Sequence, residues 1–439
     1  MDPTRRLYSL LWSAALPLAP LRLAWRGRRE PGYRDHVGER FGRYRDAAPP
    51  RILWVHAVSL GETRAAAPLV ERLRRAHPEA TVLLTHMTAT GRAAGRELFG
   101  DGVRQAWLPY DAPFAVRRFL AHFKPCVGLL METELWPNLV ALAHDADVPI
   151  YLVNARMSEK SARGYARFPA LTRPMFAALS GVAAQTGADA ARIAALGAPA
   201  PVVTGNLKFD AAVADNGEAL GRELKGRFGE TRPTWVAAST RDGEEAMILD
   251  ALSACRLPTG ALTVIVPRHP QRFGAVADLL QARAIPFVRR SSNAPVTADI
   301  EVVLGDSIGE MAGYFTAADV AFVGGSLLPL GGQNLIEPLC LGLPTLVGPH
   351  MFNFADATEK ALAAGAAVEV ANAQTLIATV ATLFEDAPRR RAMRDAALAF
   401  HAAHRGATDR LLAWLEPRID AAMGGTRAAR EAVSPSAGG

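Results

Sequence analysis

Cysteine is scarce in this chain of 439 residues. The three cysteines, Cys126, Cys255 and Cys340, are far apart in the sequence and lie among apolar residues. Their number and spacing indicate neither a disulfide framework nor a metal cluster, and they favour a reducing compartment. Lysine is also scarce, with five residues against forty-four arginines, so the position of each lysine carries some information.

The common glycine-rich nucleotide fingerprints are also missing. No Gly-Lys-Ser or Gly-Lys-Thr follows a glycine-rich loop, and no Gly-x-Gly-x-x-Gly opens a helix. The net charge of +6 is modest and widely spread. It does not indicate a nucleic-acid binder, but it suits anionic lipids or phosphorylated substrates. No sequence repeat of solenoid period occurs.

The length and the pattern of apolar residues predict two α/β domains. A chain of this length is too long for one hydrophobic core. Short apolar runs alternate with amphipathic helical patterns in both halves, which predicts a doubly wound parallel sheet in each half. In such a pair we expect the loops at the carboxyl ends of the strands to face a central cleft. After residue 355 the pattern predicts helix almost throughout, to about residue 419.

Four segments are predicted along the chain. Residues 1–29 form an N-terminal anchor or interfacial segment, 30–214 a first α/β domain and 215–423 a second. Residues 424–439 are small and polar with glycine, serine and proline, which predicts a disordered tail.

The N-terminal segment contains an uncharged apolar run, Leu7 to Leu21. Its fifteen residues are fewer than the ~20 that a spanning helix needs, and Pro17 and Pro20 interrupt it. We favour an interfacial or shallowly inserted anchor whose arginines contact anionic headgroups. A single short span, a secretory signal peptide and a surface helix packed on the domain are the alternatives. The flanking arginines are Arg5, Arg6, Arg22, Arg26, Arg28 and Arg29.

The stretch from Trp54 to Glu62 is the most informative part of the first half. Residues 52–58 read as a buried strand that breaks at Ser59-Leu60-Gly61, and a helix begins near Glu62. This order places Glu62 at the ligand crevice of an open α/β sheet. The carboxylate is either a first-turn acid that offsets the helix dipole or a general base.

Other polar residues of the first half follow predicted strands in the same way. Glu132 and Glu134 come directly after one strand, and Asn154 follows the next. The two acids either begin a helix or belong to a site. Lys208 also follows a strand, and its ammonium suits a point contact to a phosphate or carboxylate, although chance placement is the alternative. Asp145-Ala-Asp147 precedes a strand instead, so we predict no metal there.

Two loops of the second half carry binding chemistry. Arg268 and His269 follow a strand and supply cationic or donor groups, although an isolated histidine is more often an ordinary surface residue. Glycine pairs flank the loop Gly324–Gln333, and a helix starts near Asn334. Glycines let backbone N–H groups approach an anion, and a carboxylate at Glu337 can accept from ribose hydroxyls.

On these motifs the sequence resembles the 3-deoxy-D-manno-octulosonic acid (Kdo) transferases of lipopolysaccharide synthesis, from the N-terminal segment to about residue 415. The resemblance implies a GT-B fold, with two Rossmann-like domains that bind acceptor (30–214) and donor (215–423). It also implies an inverting transferase that moves Kdo from CMP-Kdo to a lipid A precursor (lipid IVA) at the cytoplasmic face of the inner membrane. The matching motifs are 56–62, 131–138, 205–210, 266–273, 305–311, 321–337 and 348–354.

The resemblance also implies roles for individual residues. Glu62 corresponds to the proton acceptor, and Glu132 and Lys208 to transition-state stabilisers. No metal or other cofactor is expected, and the partners are CMP-Kdo, the lipid A precursor and anionic lipids. The residues that correspond to CMP-binding segments are Arg268, His269, Gly309, Glu310, Met311, Asn334, Leu335, Ile336 and Glu337.

Two other functions fit the same architecture. A UDP-sugar transferase or epimerase shares the two-domain plan, and fold alone does not exclude it. A membrane-peripheral nucleotide-binding scaffold without turnover is the third hypothesis, and Glu62, placed as a base, speaks against it.

Overall fold

A computed structural model describes residues 3–28, 30–210, 217–255 and 257–431, with side chains as far as residue 424. The chain divides into two compact units. One consists of Met1–Ala211 and Arg405–Gly439, and the other of Ala212–His404. Each unit is built around a seven-stranded parallel sheet, as the alternation of strand and helix patterns predicts.

The first sheet has the order β3-β2-β1-β4-β5-β6-β7. Its central strand, β4, is continuously apolar and buried, as expected for a parallel strand covered on both faces. Chain order reverses between β1 and β4, and ligands of doubly wound sheets bind at such a point. The strands are β1 (Ile52–His56), β2 (Thr81–His86), β3 (Arg104–Trp107), β4 (Pro125–Met131), β5 (Ile150–Ala155), β6 (Gly181–Ala184) and β7 (Val202–Val203).

Helices cover both faces of this sheet and bury one apolar cluster on each side. Trp54 and Phe119 lie in one cluster, and Leu53 and Leu69 in the other. The helices that precede the second unit are α1 (Pro3–Ala15), α2 (Ala19–Arg26), α3 (Leu60–Ala76), α4 (Ala89–Phe99), α5 (Pro113–Phe123), α6 (Pro137–Asp145), α7 (Glu159–Ala166), α8 (Pro169–Ala177) and α9 (Gly187–Ala195).

The second sheet repeats the plan with the order β10-β11-β9-β8-β12-β13-β14, and its reversal lies between β8 and β12. Its strands are β8 (Thr234–Thr240), β9 (Leu262–Pro267), β10 (Phe287–Arg289), β11 (Val302–Leu304), β12 (Val320–Val323), β13 (Thr345–Val347) and β14 (Ala367–Glu369). Its helices are α10 (Gly217–Phe228), α11 (Glu244–Ala254), α12 (Phe273–Ala282), α13 (Met311–Ala317), α14 (Ile336–Cys340), α15 (Ala355–Ala363), α16 (Ala373–Glu385) and α17 (Ala387–His404).

The last helix, α18 (Ala407–Glu431), belongs to the first unit. Its apolar stripe of Leu411, Leu415 and Ile419 is fully buried in the cluster that also holds Leu69 of α3. Asp210 caps its start by accepting from the backbone N–H groups of residues 406 and 408, at 2.6 and 2.5 Å.

Three details of the predicted organisation need correction. The second domain does not extend to residue 423, because α18 packs on the first sheet. The predicted tail begins too early, since α18 continues to Glu431; residues 432–439 lie outside the described residues. The short strand β14 interrupts the region predicted as mostly helical, and it pairs with β13 at the sheet edge.

The N-terminal segment forms α1 and α2, which are joined by a 3-10 turn at Leu16–Leu18. Pro3–Arg26 is long and apolar enough to cross a membrane, and only 17% of its most apolar 18-residue stretch is buried. The opposite, polar side of α1 is fastened to the first unit. Tyr8 donates from its hydroxyl to Asp111 (2.9 Å), and Ser9 donates to the side-chain oxygen of Asn138 (3.0 Å). The segment is therefore a packed part of the unit with one apolar side exposed.

Candidate functional site

In the first unit, polar residues meet where chain order reverses. Glu62 lies in the first turn of the helix after β1, and Glu132 is the first residue after β4. Because β1 and β4 are neighbours, the structure brings these two predicted residues to the same edge of the sheet.

The carboxylate of Glu62 is held by the start of its own helix. One oxygen accepts from the backbone N–H of Val58 (2.9 Å), and the other accepts from the Ser59 hydroxyl (3.0 Å). Ser59 is the N-cap of α3 and accepts in turn from the Glu62 N–H (3.4 Å). Glu62 is thus the helix-start acid that the simpler interpretation predicts, and these bonds also fix its position.

Burial, and after it the negative charge of Glu132, raise the pKa of Glu62 from its ordinary value to about 7. The bonds from Val58 and Ser59 act in the opposite direction. A carboxylate that titrates near neutrality is suited to remove a proton, because the best general bases have a pKa close to the working pH. Its pKa therefore fits a function as a base in addition to capping.

Glu132 and Lys208 form an ion pair. Oε1 of Glu132 lies 2.9 Å from Nζ of Lys208, and both side chains are largely buried. The backbone of Glu132 has a left-handed φ of +56°, which is uncommon for a residue with a Cβ. Such backbone strain clusters at functional sites. The structure therefore brings the two predicted residues Lys208 and Glu132 together.

Asn154 supports the turn that carries Lys208. Its side-chain oxygen accepts from the backbone N–H of Leu207 at 3.0 Å, and Asn206 accepts from the N–H of Lys208 at 3.0 Å. Asn154 is fully buried and has a φ of +49°. Its position at the end of a strand was visible in the sequence, but its role in holding this turn was not.

Glu134 is a third carboxylate in this region. It accepts from the indole N–H of Trp136 at 3.1 Å. Burial raises its pKa, and the neighbouring charge of Glu132 acts in the same direction. The first unit thus gathers three carboxylates and one lysine at the carboxyl edge of β1 and β4.

In the second unit, Arg268 is joined to the glycine-rich loop. Its Nε donates to the side-chain oxygen of Gln333 (3.1 Å), and its backbone N–H donates to Thr240 (2.9 Å). His269 is exposed and precedes a 3-10 turn at Pro270–Arg272. The partner of Arg268, Gln333, was not singled out from the sequence; its place in the loop 324–333 was the available signal.

The other predicted donor-binding residues form two groups. Asn334 accepts from the Ile336 N–H (3.1 Å) and donates to Glu337 (3.0 Å), so both polar side chains are oriented at the start of α14. The side chains of Leu335 and Ile336 lie in the core, so only the backbone of these two residues can meet a ligand.

Gly309, Glu310 and Met311 lie at β11, two strands away from the reversal at β8 and β12. Gly309 has a φ of +81°, and Met311 begins α13. Glu310 accepts two bonds from Arg290, at 3.1 and 3.3 Å. This group follows β11, the direct neighbour of β9, which ends just before Arg268. The carboxylate of Glu310 already has a cationic partner in Arg290.

One expectation for the glycine loop needs correction. The sequence predicts that backbone N–H groups of this loop approach an anion. Those of Gly325, Ser326 and Leu327 instead donate to the carboxylate of Glu244, an acid of the chain itself. Among the described residues no group of three or more histidine, cysteine, aspartate or glutamate side chains is arranged to hold a metal.

Comparison with proteins of known sequence shows which family the chain is similar to. The profile of the 3-deoxy-D-manno-octulosonic-acid transferase (kdotransferase) family matches residues 35–211. The 3-deoxy-D-manno-octulosonic acid transferase of Bordetella pertussis is 47% identical, over 94% of this chain and 99% of the relative. The enzyme of that name from Haemophilus influenzae is 37% identical, over 89% and 93% of the two chains.

Solved structures show the same fold at low sequence identity. UDP-GlcNAc 2-epimerase from Neisseria meningitidis matches with a TM-score of 0.54 and 17% identity, over 82% of this chain and 99% of that one. A glycosyltransferase from Rickettsia africae matches with a TM-score of 0.55 and 13% identity, over 87% and 99%. These likenesses establish a GT-B fold and carry no information about substrate. The two close relatives, which are matched over nearly their whole length, decide the family: the chain belongs to the 3-deoxy-D-manno-octulosonic acid transferases and is a glycosyltransferase.

Proposed function

We propose that this enzyme transfers Kdo from CMP-Kdo to the lipid A precursor (lipid IVA), with inversion at the anomeric carbon and Glu62 as general base. The observation that supports this proposal most is the half-buried Glu62, whose pKa of about 7 lies at the working pH of a neutral compartment. Its neighbours, the Glu132–Lys208 pair, supply the charges that such a reaction needs.

In the proposed step, a sugar hydroxyl of the acceptor attacks the anomeric carbon of Kdo. The new carbon–oxygen bond forms as the bond from that carbon to the CMP phosphate oxygen breaks, and CMP leaves with the electron pair. Glu62 takes the hydroxyl proton. General-base assistance of this kind contributes about 10²–10⁴-fold to the rate.

Lys208 would stabilise negative charge during this step. Kdo carries a carboxylate and the leaving phosphate is anionic, so an ammonium close to either lowers the energy of the transition state. Glu132 pairs with Lys208 at 2.9 Å and keeps it oriented. The same carboxylate raises the pKa of Glu62, so one residue serves both partners.

The second unit would bind CMP-Kdo. Arg268, held by Gln333, offers a cation for the phosphate. The paired side chains of Asn334 and Glu337 present oriented acceptors that suit ribose hydroxyls. The family resemblance also assigns His269, the segment Gly309–Met311 and the backbone of residues 335–336 to this site. No metal or other cofactor is part of the proposal, since CMP is already a competent leaving group.

The N-terminal segment would hold the enzyme on the cytoplasmic face of the inner membrane. Its large apolar side chains are exposed on one side, while Tyr8 and Ser9 of α1 bond to the unit on the other. This arrangement favours a segment that lies in the interface over one that crosses the bilayer. Arginines around it would contact anionic headgroups. The exposed apolar side chains are Leu7, Leu10, Leu11, Leu18, Leu21 and Trp25.

Incubation with CMP-Kdo and tetraacylated lipid A precursor, followed by mass analysis of the lipid, tests the proposal. We expect the lipid mass to increase by one or more Kdo units, with CMP released in equal amount. CMP release without any change in lipid mass would contradict the acceptor assignment. An unchanged donor in the presence of active, folded enzyme would contradict the donor assignment.

A further inference from the structure

A buried carboxylate fills an anion-binding cradle in the second unit. Glu244, the first residue of α11, is completely buried. One of its oxygens accepts from the N–H groups of Arg241 (2.9 Å) and Gly325 (2.6 Å). The other accepts from those of Ser326 (3.0 Å) and Leu327 (3.0 Å). Successive backbone N–H groups that converge in this way usually bind a ligand anion, but here they bind the protein itself.

The loop after β12 has this shape only because it approaches β8 closely. Gly325 has a left-handed φ of +71°. A Cβ on Gly324 would lie 2.7 Å from the backbone oxygen of Ser239, so only glycine fits there without a shift. The hydroxyl of Ser326 accepts from the N–H of Gly348 at 2.8 Å and ties the loop to the segment after β13. The first part of the loop is therefore fixed at both neighbouring strands.

The rest of the loop connects this fixed part to Arg268. The N–H of Gly332 donates to the oxygen of Gly325 (2.7 Å), and that of Gln333 donates to Gly324 (3.0 Å). The side chain of Gln333 then accepts from Nε of Arg268 (3.1 Å). Three hydrogen-bonded steps thus lead from the carboxylate of Glu244 to the guanidinium assigned to the donor.

We propose that Glu244 is a positioning residue for the donor: its carboxylate folds the glycine loop around itself, and the folded loop holds Gln333 and Arg268 in place for the anionic part of CMP-Kdo. This proposal rests on the proposed function. It assigns the four N–H groups to an internal carboxylate, so the donor phosphate depends on side chains such as Arg268. Replacement of the Glu244 carboxylate therefore weakens donor binding, although Glu244 itself touches no ligand.

The test is the affinity of the full-length enzyme for CMP, measured by calorimetry in detergent. Glu244→Gln replaces one acceptor oxygen with an amide NH2 that would face backbone donors. We expect the Kd for CMP to rise about 10-fold or more, because a displaced Arg268 loses a charge-assisted hydrogen bond to the nucleotide, and such a bond contributes roughly a factor of ten or more to affinity. The KM for CMP-Kdo should rise by more than kcat falls, and the KM for the acceptor should not change.

Asp319→Asn is a matched control in the same unit. Asp319 accepts from the N–H of Thr234 (2.9 Å) and pairs with Lys225, but it lies at the amino end of β12. This variant should lose stability and keep its Kd for CMP within about twofold of wild type. Equal weakening of CMP binding in the control and in Glu244→Gln would overturn the proposal, because it would indicate a general loss of structure.

Hydrogen exchange gives a second measurement on the same loop. The peptide that covers residues 324–335 should exchange slowly in the wild type and faster in Glu244→Gln. If that variant does not fold, Ser326→Ala loosens the same loop without touching the carboxylate, and CMP binding about threefold weaker supports the proposal. A folded variant with wild-type exchange and wild-type CMP affinity overturns it. A wild-type enzyme that binds no CMP is a different result, which contradicts the donor assignment itself.

Discussion

Nζ of Lys208 lies 2.9 Å from Oε1 of Glu132, and the two side chains are only 18% and 17% exposed. A pair this well shielded interacts more strongly than one at the surface. The pair lies beside Glu62, whose pKa is raised by burial and by the charge of Glu132. The protonation of the proposed base therefore depends on the residue that also orients the proposed cation.

The first prediction concerns pH. Activity should rise with pH through about 7 as Glu62 loses its proton, because only the carboxylate form accepts one. Glu132→Gln removes a negative charge that raises the pKa of Glu62. The midpoint of the pH–rate profile should therefore move to lower pH, while the maximal rate falls at least about 10-fold because Lys208 loses its partner.

The control for this prediction is Glu39→Gln. Glu39 and Arg92 form a comparably buried pair in the same unit, at 2.8 Å, but Glu39 is not among the main groups that shift the pKa of Glu62. This variant should lose stability and keep the wild-type midpoint. A midpoint that stays in place in Glu132→Gln, or moves upward, would show that Glu62 is not the group that titrates.

The second prediction concerns the nucleotide. CMP should protect the enzyme from thermal unfolding, because a ligand that binds only the native state stabilises it by about 2.7 kcal/mol at a concentration of 100 Kd. UDP at the same concentration should leave Tm nearly unchanged. Protection by UDP and not by CMP would favour a UDP-sugar enzyme, and protection by neither would remove the nucleotide assignment.

The third prediction concerns the membrane. Leu10 is 67% exposed on α1, so Leu10→Ser should weaken binding to vesicles that contain anionic lipid by about tenfold, from the apolar transfer energy of one leucine. Leu398→Ser, at a 39% exposed position on α17, is the control and should bind like the wild type. High salt should also weaken binding if arginines contact headgroups. Equal vesicle binding by Leu10→Ser and Leu398→Ser would contradict the assignment of the exposed side of α1 as the membrane-binding surface.

The architecture was predictable because both sheets consist of apolar strands that alternate with helices. The strand predicted at residues 52–58, for example, is found at Ile52–His56. The three-residue strand β14 was missed, since so short a run between two helices has no period of its own. The packing of α18 on the first unit was also missed. Periodicity shows that Leu411, Leu415 and Ile419 share one face of the helix, but it does not show against which sheet that face packs.

The candidate site was predictable to the extent that it follows strand ends. Glu62, Glu132 and Lys208 could be named because each comes after an apolar strand. Their mutual contacts could not be derived from spacing, since Lys208 reaches Glu132 only through a turn held by Asn154. Glu244 was overlooked for a related reason: an acid at the start of a helix is ordinary, and only coordinates show that a loop from another strand encloses it.

The most direct test of the account is the transfer rate of Glu62→Gln, measured as Kdo added to the lipid A precursor under single-turnover conditions. Glu71→Gln changes another glutamate of α3, one that pairs with Arg74, and serves as the control. We predict a rate at least ~100-fold lower for Glu62→Gln, with unchanged CMP affinity and a wild-type rate for the control. A rate for Glu62→Gln within a few-fold of wild type would contradict the assignment of the base.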